Sequence, residues 1–74
     1  MQPDLDFEAT LAAYRRFLEH PPTSEFTRWY QEALFMKALM EKSPIDALDD
    51  RIRWRENKKN ALARLKALGY QIEL

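Results

Sequence analysis

Apolar residues recur at helical spacing in three stretches of this 74-residue chain. In the middle one, Phe26, Trp29, Ala33, Met36 and Met40 follow one another at steps of three and four, the signature of one helical face. Leu34, Phe35 and Leu39 fall outside that face. A helix with apolar groups on two sides lies between neighbours, not on a surface, so the pattern predicts a central helix over about residues 24–42. Ahead of it, Phe7, Leu11, Tyr14 and Leu18 keep the same spacing, with Phe17 widening the stripe. They predict a first helix over about residues 6–19, with Asp4 or Asp6 as its cap and Arg15 and Arg16 on the solvent side.

The punctuation between stretches is explicit. His20-Pro21-Pro22 ends the first helix, because the residue before a proline is pushed out of the α region. Thr23 or Ser24 can then cap the second helix, with Glu25 at the positive end of its dipole. So short a connection favours an antiparallel hairpin. Ser43-Pro44-Ile45-Asp46 reads as a near-match to a capping box with proline at the first helical position. It predicts a third helix over about residues 44–68, terminated by Gly69, the only glycine, with Tyr70 folding back onto the last turn. Residues 69–74 form a short tail expected to dock in extended form.

The third helix carries two apolar stripes that face different directions: Ile45, Leu48 and Ile52, then Trp54, Ala61, Leu65 and Leu68, with Leu62 at the edge. Such a helix either touches two neighbours along its length or breaks near Asn57–Asn60; the continuous helix is the favoured reading. The expected fold is a single all-α domain, a three-helix arrangement. Its expected core is Phe7, Leu11, Tyr14, Leu18, Phe26, Trp29, Ala33, Met36, Met40, Ile45, Leu48, Ile52 and Leu65.

Composition narrows the class. With no cysteine there is neither a disulfide staple nor a thiolate metal site, and a domain of this size is marginal alone. No apolar run approaches the roughly 20 residues that span a bilayer, and the acidic N-terminus, MQPDLDFE, is unlike a signal or transit peptide. A soluble cytoplasmic protein is expected. Net charge is zero, but residues 1–50 carry ten acids against five bases, and residues 51–74 seven bases against two acids. That split suits an acidic partner or an antiparallel self-association.

Candidate chemistry is sparse. His20, the only histidine, has no converging carboxylates, and Asp4/Asp6 and Asp49/Asp50 lack the burial that would raise a carboxyl pKa. No HExxH, glycine-rich loop or nucleophile elbow occurs. Neither catalytic residues nor a metal site, cofactor or small-molecule substrate is expected. What remains is binding. Apolar residues surplus to one core (Phe35, Leu39, Trp54, Ala61, Leu65 and Leu68) predict an interface with a second copy or another protein, since an exposed patch of that size is unusual on a monomer. A small non-enzymatic protein-interaction module, an adaptor or regulator forming a homodimer, is the leading expectation. The alternative is a nucleic-acid-binding regulator whose third helix presents Arg51, Arg55, Lys58, Lys59 and Lys66 to a phosphate backbone, with Trp54 placed to stack on a base. The alternative outcome for the fold is a compact monomer in which the third helix bends near Asn57 and its second half covers Phe35 and Leu39.

Overall fold

The computed structural model describes residues 3–74, with side chains from Asp6 onward. The chain folds as three α-helices, α1 (Pro3–Glu19), α2 (Glu25–Lys42) and α3 (Leu48–Ala67), with no strand among the described residues. α1 begins earlier than the spacing suggests, with Pro3 at the first helical position, where a missing N–H costs nothing. Asp4 and Asp6 therefore both fall within the helix, past its capping position.

Ser24 caps α2 as expected: its backbone is extended (φ −74, ψ 127) and its Oγ accepts from the Thr27 N–H at 3.4 Å. Ser43 plays a different part from the one its sequence context suggested. It closes α2, with its Oγ donating to the Met40 carbonyl oxygen at 3.1 Å. Residues 44–47 then form a turn held by Ala47 N–H to Pro44 O at 3.1 Å. α3 starts four residues later than expected, at Leu48, behind an Ala47 that offers no side-chain cap. Its C-terminus follows the expectation closely. Gly69 has φ +99, the Tyr70 N–H reaches the Leu65 carbonyl at 2.9 Å, and the Gly69 N–H reaches Lys66 at 3.0 Å. That pair of bonds is the Schellman termination.

α2 lies between the other two, packed extensively on α3 and less on α1. Both pairings are antiparallel: Phe17 meets Arg28 and Tyr14 meets Phe35, while Trp29 meets Arg64 and Phe26 meets Tyr70. The core is a cluster of Met36, Leu39 and Trp54, against which Phe7, Leu11, Tyr14, Phe35 and Met40 pack. Ala33, Ala61 and Leu65 are fully buried too, and the two alanines let the α2 and α3 backbones approach. Phe7 reaches past α2 to Trp54 (ring centroids 5.7 Å apart), and Tyr14, Phe17 and Phe35 form a ring cluster at 5.3–6.0 Å.

α3 is continuous through Asn57–Asn60. At 100° per residue, its Leu48 and Ile52 point about 150° away from the row of Trp54, Ala61, Leu65 and Leu68, and Ile45 sits in the turn just before the helix. Packing the second row on α2 therefore turns the first to water. Ile45, Leu48 and Ile52, expected in the core, are 88%, 65% and 53% exposed. Leu18 is also outside, at 47%, because the larger Phe17 takes the inward place against Phe35.

Candidate interaction site

The residues expected to form an interface mostly build the interior. Leu39, Trp54, Ala61 and Leu65 are buried within the chain itself, Phe35 is half-buried in the ring cluster, and only Leu68 is exposed. Leu39 is buried within the chain and packs with Trp54 of the unbroken α3, whereas Phe35 is half-covered by Tyr14 and Phe17 of α1 and borders an open groove with Gln31, Leu34 and Ala38. The surplus apolar surface has moved to the other side of α3.

That surface is the Ile45–Leu48–Ile52 stripe. It is continuous with a groove of about 460 Å³ lined by Met40, Leu48, Arg51, Ile52 and Arg55. Met40 comes from the last turns of α2, so the α2–α3 turn sets both walls. The stripe's flanks differ in charge. Arg51 and Arg55 run along one side, Asp49 and Glu56 along the other, as their helical positions require.

The cationic set is divided. Arg55, Lys59 and Lys66 are exposed and Arg51 is partly so. Lys58 donates to the Leu74 carbonyl oxygen at 2.7 Å, which ties the tail back along α3. Arg53 pairs with Asp50. Trp54, at 6% exposure, offers no face to a base.

A second feature had no counterpart in the sequence reading. Glu32 is 6% exposed, and both its oxygens are used: the Tyr14 hydroxyl donates to Oε2 at 2.6 Å and Arg28 Nη1 donates to Oε1 at 3.2 Å. Burial first, then the bond to Glu32, push the Tyr14 phenol well above its ordinary value. Arg28 also lies over Trp29, 4.4 Å from the ring centroid, and Arg64 crosses from α3 to the same ring at 4.9 Å. These groups wall a polar cleft of about 520 Å³, completed by Asn57 and Asn60. The Arg28–Glu32 pair is legible as an i,i+4 spacing. The arrival of Arg64 and the asparagines depends on how α3 registers on α2, which no local pattern encodes.

Among the described residues no three His, Asp or Glu side chains converge as metal ligands, and no helix is long and apolar enough to cross a membrane. Comparison with protein-family models, curated proteins and solved structures found no match.

Proposed function

We propose that this chain is a small non-enzymatic protein-interaction module that self-associates through the exposed stripe of α3. One observation carries the reading: Leu48 and Ile52 stand 65% and 53% exposed on one face of α3 in an open groove, and Ile45, in the turn before the helix, is 88% exposed. Burying a large aliphatic side chain is worth about 1.5–3 kcal/mol, so three together supply a driving force for association. The flanks favour a second copy as the partner. In a two-fold pair with parallel α3 helices, the Arg51/Arg55 side of one copy faces the Asp49/Glu56 side of the other. In an antiparallel pair, like charges would meet. The parallel arrangement thus replaces the antiparallel one suggested by the overall charge split. A phosphate backbone is the poorer match for this face, because the cations of α3 border exposed aliphatics and carboxylates. The cysteine-free chain suits a cytoplasmic setting.

The experiment is sedimentation across the micromolar to near-millimolar range, for the wild type and a Leu48→Glu, Ile52→Glu variant. A wild-type dimer and a folded monomeric variant are expected. Both residues are exposed in the monomer, so the variant should keep its helical content. A wild type that stays monomeric throughout would overturn the reading.

A further inference from the structure

We infer that the cleft between α2 and α3 is a binding site for a carboxylate carried by a peptide. The site is separate from the association stripe: the row Asn57, Asn60, Arg64 and Ala67 lies about 110° around α3 from it, at 100° per residue. Three observations carry the inference.

The first is the charge balance. Glu32 is buried and its carboxylate is matched by Arg28 at 3.2 Å and by the neutral Tyr14 hydroxyl at 2.6 Å. Its oxygens are occupied, so it does not compete for Arg64. Arg64 forms no ion pair among the described residues and is the one unmatched charge in the cleft. A monoanion completes the balance. A dianion would bring surplus negative charge near Glu32.

The second is preorganisation. The Arg64 guanidinium lies 4.9 Å from the centre of the Trp29 ring, a cation–π contact that favours this position. A planar guanidinium presents paired N–H donors that match the two oxygens of a carboxylate. The contact biases the side chain toward the cleft before the ligand arrives, which lowers the side-chain freedom lost on binding.

The third is the remaining wall. The side chains of Asn57 and Asn60, on the same side of α3 as Arg64, make no hydrogen bonds among the described residues. An asparagine amide both donates and accepts, which is what a peptide unit next to the carboxylate requires. Leu18, Ala63 and Ala67 supply apolar surface beside it. The cleft is an open groove of about 520 Å³, accessible to a ligand from solvent.

A side-chain carboxylate and a free C-terminal carboxylate present the same chemistry, and the test separates them. Two-dimensional NMR of the full chain follows the Trp29 indole N–H, with the buried Trp54 indole as internal reference. The probes are N-acetyl-glutamate α-amide, N-acetyl-leucine with a free carboxylate, the uncharged N-acetyl-glutamine amide, and inorganic phosphate. The Trp29 signal should move with at least one carboxylate probe, bound at least about tenfold more tightly than the glutamine amide, the difference one charge-assisted hydrogen bond makes. The tighter carboxylate names the source. Arg64→Gln should remove that tenfold preference, and because Arg64 is exposed the variant should keep the wild-type spectrum elsewhere. Equal binding of the glutamine amide, tighter binding of phosphate than of either carboxylate, or an unchanged preference in Arg64→Gln would each overturn the inference. The comparison of charged and uncharged probes on the wild type decides it even where the variant folds poorly.

Discussion

At the scale of single residues, two positions carry more than their size suggests. Gly69 has φ +99, and a Cβ placed there meets nothing within 4 Å. The demand is therefore purely conformational. Gly69→Ala should cost about 1–2 kcal/mol, the usual penalty for an L-residue held left-handed, and denaturant unfolding would register it as a lower midpoint with unchanged slope. Tyr14 is the second. Its hydroxyl donates to a buried carboxylate oxygen, and the groups facing it are Glu32 and Arg28. The folded state holds the phenolic proton more tightly than the unfolded chain, where the ordinary value is 10.0. The contribution is complete below that value and fades as pH rises beyond it. Unfolding midpoints of wild type and Tyr14→Phe, compared between about pH 8 and about pH 11.5, isolate the effect by linkage. The phenylalanine variant should be less stable by about 1–3 kcal/mol at the lower pH, because it leaves Glu32 Oε2 unsatisfied, and the gap should narrow at the higher pH. A constant gap would mean that the proton is not coupled to folding.

At the scale of elements, the three helices were legible because their stops are local chemistry: two prolines after His20, Ser24 before α2, and Gly69 after α3. The start of α3 was misread for an equally local reason. Ser43-Pro44 resembles a helix opening, but Ser43 satisfies the end of α2 instead, and the turn through Ala47 takes up the next four residues. α3 is left with a poor cap. Ala47→Ser should stabilise the fold by about 0.5–2 kcal/mol, the measured span for restoring a hydroxyl at such a position, visible as a higher denaturation midpoint. The two stripes of α3 were visible in the sequence. Which of them would be buried was not, because that depends on α2 offering Ala33, Met36 and Leu39 to the row that contains Ala61. Small residues on both helices permit the closer approach, and the row of Ile45, Leu48 and Ile52 has no alanine among its members.

For the whole molecule, the sequence correctly implied more apolar surface than three short helices can hide, and misplaced it. Leu39 went inward, Phe35 stayed half-covered, and Ile45, Leu48 and Ile52 stand outside. The same exchange removed Trp54 from any role on the surface. The polar cleft escaped notice because Trp29 at helical spacing reads as core, and Arg28 and Arg64 are 36 residues apart. Bringing them onto one ring is a property of the assembled α2–α3 pair alone.

The unequal cover along α3 has a consequence in time as well as in space. Its later turns are anchored by the fully buried Ala61 and Leu65 and closed by the Gly69 termination, whereas its first turns start without a side-chain cap and carry Leu48 and Ile52 in water. Opening free energies follow local burial. Backbone amides from Arg51 to Arg53 should thus trade hydrogen for deuterium well before those from Leu62 to Lys66. Raising the protein concentration should slow only the early group, so that a helix of uniform outline behaves as two segments with separate clocks.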